Sequence, residues 1–101
     1  MPAYLVAIAR VDNWTEDFQK YADQAADLTA EHGASYVIRG APETVYEGDL
    51  FQDRVMVVSQ WSSIEAAKAF WESDKYQKKI KPFREGTGVY DVAIFAAPEG
   101  A

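Results

Sequence analysis

Three segments of this 101-residue chain are nearly continuous apolar runs: Tyr4-Leu5-Val6-Ala7-Ile8-Ala9, Val55-Met56-Val57-Val58 and Val92-Ala93-Ile94-Phe95-Ala96. A strand alternates its side chains between two faces, so an unbroken apolar run requires both faces to be out of water. The segments between the runs supply only two sizeable helices, enough to cover one face of a small sheet. The other face needs a partner, and the simplest partner is a second copy of the chain. Architecture and assembly follow from this pattern; a reaction does not.

The periodicities predict the element order. A strand is expected over about Ala3 to Val11, followed by a helix capped at Asp12-Asn13, with Asn13 and Glu16 at capping-box spacing. Trp14, Phe18, Tyr21, Ala25, Leu28 and His32 recur at alternating spacings of four and three, one stripe of a long helix that Gly33 stops. A β-rich run from Ala34 to about Glu47 passes through Gly40-Ala41-Pro42, whose glycine and proline mark a bulge or an edge strand. Residues 48–53 read as a loop and Arg54 to Trp61 as the returning strand of a hairpin. Ser62 and Glu65 have capping-box spacing at the start of a second helix, with Ile64, Ala67, Phe70 and Trp71 packed inward. Ser73-Asp74 interrupts it, and a short helical piece from Lys75 to about Lys81 ends at Pro82. Val89 to Ala97 is the last strand, and Pro98 to Ala101 a tail.

The order β-α-β-β-α-β is the ferredoxin-like plan of an α+β protein, an antiparallel sheet with two helices on one face. Residues 1–101 form one domain, with no linker, repeat or low-complexity tract. Joined to the doubly apolar strands, this predicts a homodimer through sheet faces, the dimeric α+β barrel. A net charge of -6 and the excess of Asp and Glu over Lys and Arg exclude a general nucleic-acid binder. No apolar run reaches the ~20 residues of a membrane helix, so no membrane partner is expected. The N-terminus lacks a basic signal-peptide region and there is no cysteine, which leads to a cytoplasmic expectation.

Candidate functional residues are few. His32 is the only histidine. It reads either as a general base or as a helix-end residue whose ring covers core and bonds a terminal carbonyl; no spaced carboxylate pairs with it. No metal motif and no phosphate or dinucleotide loop is present, so no metal and no cofactor are expected. Arg39 stands in an apolar strand and needs a partner, either a ligand anion or carbonyl, or a strand carboxylate such as Glu47 or Asp91. The run Lys75, Lys78, Lys79, Lys81 and Arg84 could dock an anion, but reads more simply as a solvated helix face. Tyr36, Trp61, Trp71, Tyr76 and Phe83 read first as core, and secondarily as the wall of a small-molecule cavity.

Taken in order, Tyr21, His32-Gly33, the run from Tyr36 to Gly40, Val45-Tyr46-Glu47-Gly48, Arg54-Val55, the run from Trp61 to Ala67 and Tyr76-Gln77 carry a likeness. The chain resembles the bacterial family catalogued as domain of unknown function 1330, in the dimeric α+β barrel superfamily, over about Tyr4 to Phe95. The family's helix-1 tyrosine falls on Tyr21, its strand arginines on Arg39 and Arg54, its Glu-Gly turn on Glu47-Gly48 and its Tyr-Gln on Tyr76-Gln77. Gln60 and Lys75 stand where the family usually has glutamate, and Trp14-Thr15 replaces its Asp-Pro. The resemblance implies no assigned activity; superfamily relatives include cofactor-independent monooxygenases, isomerases and dehydratases with pockets between helices and sheet.

Three functional readings follow. The first is a small organic carboxylate or carbonyl ligand held by Arg39 with Tyr21 and Tyr76, within a pocket that Tyr36, Trp61 and Arg84 also line. The second is a cofactor-independent enzyme using Tyr21 or His32 for proton transfer. The third is a structural protein whose pocket is filled by its own aromatics.

Overall fold

A computed structural model describes residues 1–98; the expected tail beyond Pro98 lies outside the described residues. The elements run β1 (Ala3–Val11), α1 (Glu16–Glu31), β2 (Ser35–Gly40), β3 (Val55–Trp61), α2 (Ile64–Glu72) and β4 (Gly88–Ala96). All strand pairs are antiparallel in the order β2-β3-β1-β4, the ferredoxin-like arrangement, which places the long apolar β1 and β3 centrally and the Gly-terminated β2 at an edge.

Register sorts the apolar runs into two faces. Leu5 lies between Ser59 and Ile94, Ala7 between Val57 and Val92, and Ala9 between Val55 and Tyr90; this face looks toward the helices. The alternate residues form the open face, where Val6 lies between Val58 and Ala93 and Tyr4 between Gln60 and Phe95. The core joins Leu5 and Trp61 of the sheet to Ala25 and Leu28 of α1, Ala67 and Phe70 of α2, and Tyr76 and Ile80 beyond it.

Several boundaries differ from expectation, each for a local reason. The cap of α1 is Thr15, whose Oγ1 accepts from Phe18 N at 3.0 Å, rather than Asn13. Asn13 instead donates its Nδ2–H to Gly86 O at 3.3 Å, and Trp14 stands before the helix, 65% exposed. At α2 the cap also falls later than expected, by one residue, at Ser63 in place of Ser62, with Oγ accepting from Ala66 N. Gly33 ends the first helical segment with φ +78°, a conformation an L side chain resists.

β2 stops at Gly40, not near Glu47; 41–54 is a loop whose Tyr46 is 92% exposed. Despite their β-rich composition, Val45-Tyr46 lie in this loop and pair with no strand among the described residues. The irregularity of β2 sits earlier than the glycine: Tyr36 opposes Ser59 and Ile38 opposes Val58, so Val37 is an unpaired bulge residue. After α2 the chain forms a π-helical turn over Lys75–Ile80 and a 3₁₀ turn over Lys81–Arg84. Pro82 lies inside the second turn rather than ending the first. Ser73 shapes this change of pitch, donating to Phe70 O at 2.7 Å and accepting from Tyr76 N at 3.2 Å.

Candidate functional site

A cavity of about 400 Å³ lies between α1 and the sheet. Its floor is built from small or β-branched side chains, Ala7, Ala9, Val55, Val57 and Val92, which leave room that larger residues would fill. Ala22 and Ala25 of α1 line the roof with little bulk, and the walls are aromatic. The volume and the apolar lining with a few polar tips match small-molecule sites in general.

Two arginines enter this space. The Val37 bulge turns Arg39 onto the cavity side together with Tyr36, although they are three positions apart and a regular strand would put them on opposite faces. The Arg39 guanidinium lies 4.7 Å from the Tyr36 ring centroid and is exposed at the rim. It forms no ion pair with Glu47 or Asp91 among the described residues. Glu47 is in the loop, and Asp91 lies on the open face opposite Ile8. The requirement for a buried partner therefore falls away at Arg39, because water solvates it.

It applies instead at Arg84. The last residue of the 3₁₀ turn is only 8% exposed, against the expectation that the whole basic run is a solvated face. Lys75 and Lys78 do face water, paired with Glu31 and Asp74. The Arg84 guanidinium is enclosed by aromatic rings, with centroids at 4.2 Å (Tyr90), 5.4 Å (Tyr21) and 5.7 Å (Trp71). The faces of these rings carry partial negative charge and stabilise the cation, but they accept none of its N–H groups in the plane. Among the described residues no carboxylate pairs with it and no acceptor bonds its guanidinium.

Every sealed side-chain nitrogen and oxygen among the described residues has a hydrogen-bond partner. The Arg84 nitrogens have none, so they open onto the cavities that Arg84 lines. The second of these, about 320 Å³, lies on the far side of Arg84 and Tyr90, beside Gln77, Lys81 and Glu85. Tyr90 is held in place by its hydroxyl, 2.6 Å from Thr87 Oγ1. Since Thr87 donates its single hydroxyl proton to Arg84 O, Tyr90 is the donor to Thr87.

Tyr21 and Tyr76 meet hydroxyl to hydroxyl at 2.8 Å. Tyr76 is 1% exposed, and its hydroxyl has no other partner among the described residues, whereas Tyr21 is half-buried on the cavity wall. A sealed hydroxyl proton must go to an acceptor, so Tyr76 donates to Tyr21. The Tyr21 proton is left to point elsewhere, toward the cavity. Burial, then the charge and hydrogen bond of Tyr21, push the Tyr76 phenol well above its ordinary range, while Arg84 acts in the opposite direction.

The structure thus brings Tyr21, Tyr36, Arg39, Tyr76 and Arg84 to one cavity. It does not bring Trp61 or His32 there. Trp61 is core, donating Nε1–H to Ser59 Oγ at 2.9 Å. His32 follows α1, with Nδ1–H donating to Leu28 O at 3.0 Å and its ring edge-on to Trp61 and Phe70. Tyr90 escaped the sequence reading; its alternation with Val92 and Ile94 on β4 was the available signal. Among the described residues no cluster of His, Cys, Asp or Glu could hold a metal, and no helix is long and apolar enough to cross a membrane.

Several solved structures share this fold. A protein of unknown function from Rhodopseudomonas palustris superposes with a TM-score of 0.69 at 14% identity, covering 97% of this chain and 83% of that one. SnoaB, a cofactor-independent oxygenase from Streptomyces nogalater, superposes as a mutant form with a TM-score of 0.64 at 15% identity, covering 97% and 94%. A conserved protein from Bacteroides thetaiotaomicron described as a possible oxidoreductase gives 0.56 at 18% identity, covering 93% and 95%. Identities this low establish the shared fold alone. No curated protein matches the sequence. The model of the domain of unknown function (DUF1330) matches residues 2–98, and the chain belongs to that family.

Proposed function

We propose that the protein is a cytoplasmic homodimer that binds a small organic carboxylate or carbonyl compound in the cavity between α1 and the sheet. The observation that carries this reading is Arg84, a buried cation without a counter-ion, opening onto an apolar space. Burying an unpaired charge is costly, and a cavity kept open beside it is costly again. Both costs are offset when a ligand fills the space and supplies the acceptor. The open volume also counts against a pocket filled by the protein's own aromatics.

The dimer is supported by the open face, where Val6 and Ile38 flank Val58, Ile38 is 48% exposed and Phe95 is 55% exposed. Covering several hundred Å² of such surface per subunit is worth on the order of 10 kcal/mol before association costs. Sedimentation at micromolar concentration is expected to give a dimer mass; a compact monomer refutes it.

For the ligand, a thermal-shift screen of small acids and carbonyl compounds is the test, run beside Ala7→Phe, which fills the floor. A ligand at a hundred times its Kd stabilises by about 2.7 kcal/mol. Absence of any shift, or an equal shift in Ala7→Phe, refutes the reading. A second reading, a cofactor-independent enzyme, is supported by the Tyr21–Tyr76 pair, whose free proton could protonate a bound oxyanion. Turnover of the bound compound separates the two.

A further inference from the structure

The geometry points to an acid clamp made of Arg84 and Tyr21, selecting an ionised monocarboxylate with an apolar body over neutral carbonyl compounds. This rests on the cavity reading above and narrows it. Four observations combine.

Arg84 is more than nine-tenths buried, and its N–H groups have no acceptor among the described residues. A guanidinium presents a planar fork of donors that matches the two oxygens of a carboxylate, so one anion can satisfy charge and hydrogen bonds together. A neutral carbonyl offers one oxygen and leaves the charge uncompensated. The apolar walls make that difference large, because little water remains to screen it.

Tyr21 adds a second donor at the same place. Its ring forms part of the Arg84 enclosure, and its hydroxyl proton is released toward the cavity because Tyr76 already donates to its oxygen. A hydroxyl that accepts one hydrogen bond becomes a better donor of the next. Arg84 and Tyr21 therefore converge on one acceptor group.

The charge state follows from what surrounds the clamp. Arg39, the other arginine of the cavity, stands on the edge strand β2, three strand spacings from β4, or roughly 14 Å. It is solvated at the rim and needs no second anion. Asp53 is the carboxylate on the cavity wall, and on the other side of Arg84 the cation Lys81 is only half-buried, its ammonium 5.4 Å from the Trp71 ring centroid, with Glu85 exposed nearby. One buried positive charge is matched by one negative charge. A dianion such as a phosphate monoester would carry an unmatched charge into an apolar space. The rest of the ligand lies over Ala7, Ala9, Val57 and Val92 and accordingly is apolar, aromatic or aliphatic.

The test compares matched pairs by isothermal titration at neutral pH: benzoate against benzamide, cinnamate against cinnamamide, and hexanoate against hexanamide. The fitting acid is expected to bind at least about thirtyfold tighter than its amide, as a lost pair of charge-assisted bonds implies. Arg84→Met keeps the packing of the stem and should bring acid and amide within about threefold of each other. Tyr21→Phe should weaken the acid about tenfold while leaving it preferred, since one neutral hydrogen bond is worth about that factor. If Arg84→Met does not fold, Arg84→Lys replaces it, and the acid should then weaken at least about tenfold because the fork is lost. Amides that bind as well as their acids, or a preference that survives Arg84→Met, overturn the clamp while leaving the cavity as a neutral-ligand site. Failure of every acid and every amide to bind overturns the clamp, and the thermal-shift screen then decides whether the cavity reading falls with it.

Discussion

The direction of the Tyr21–Tyr76 hydrogen bond makes the two tyrosines unequal, and removing each hydroxyl in turn measures the inequality. Tyr76→Phe removes the buried donor at 2.8 Å and leaves the Tyr21 hydroxyl free to bond cavity water. Its cost is one ordinary hydrogen bond, about 1 kcal/mol. Tyr21→Phe instead strands the Tyr76 hydroxyl, which is 1% exposed and has no alternative acceptor among the described residues. A stranded buried group costs about 1–3 kcal/mol. Tyr21→Phe should therefore be the more damaging variant by about 1 kcal/mol, roughly a 4–8 °C difference in Tm for a chain of this length. The double variant should resemble Tyr76→Phe alone, because two apolar rings leave nothing unsatisfied. Urea unfolding at pH 7 provides the assay, through the shift in midpoint at constant slope. If Tyr76→Phe costs as much as Tyr21→Phe or more, the assigned direction is wrong, and with it the free Tyr21 proton.

The remaining predictions concern pH, the α1 cap, the start of β4 and His32. Burial holds Tyr76 protonated in the folded state when the unfolded chain, with its phenol near about 10, has lost the proton. Its contribution is therefore complete below about pH 10 and declines as pH rises beyond that; pH-dependent unfolding should show a smaller alkaline loss in Tyr76→Phe. Thr15→Ala should cost about 1 kcal/mol in chemical denaturation, and Asn13→Ala clearly less, since Thr15 supplies the cap. Gly88→Ala should cost more than about 2 kcal/mol, because a Cβ there runs into the Arg10 backbone carbonyl, which cannot swing aside. His32→Gln should stay within about 1 kcal/mol of the parent, because its imidazole sits at the helix end and is not sealed in the core.

Element order was legible because long periodic patterns dominate local noise: α1 and the three apolar strands needed only spacing. Caps were harder, since Asn13 and Thr15, or Ser62 and Ser63, offer the same chemistry within two residues and only the hydrogen bond discriminates. The end of β2 was overrun because Val45 and Tyr46 favour strands, and here they lie in a loop that joins no sheet among the described residues. Arg39 could be picked out as a charge among apolar neighbours. Arg84 could not be ranked above it, because it closes a basic run whose Lys75 and Lys78 face water. The rings that enclose it come from α1, α2 and β4, separated by tens of residues, and only folding brings them together.

The bulge at Val37 gives β2 a spare residue. Every other residue of that strand from Tyr36 to Gly40 is committed to a partner across β3, so its side chain is committed to a face. Val37 alone is not. Deleting it would close the strand into a regular ladder while Tyr36 stays opposite Ser59 and Arg39 opposite Val57, with both still turned inward. Taking out Ile38 has the same effect, with Val37 moving into its place opposite Val58, whereas taking out Gly40 makes the strand draw on the following loop. Changes in chain length within β2 should therefore concentrate between Tyr36 and Arg39, and a homologue one residue shorter there would keep its inward-facing arginine.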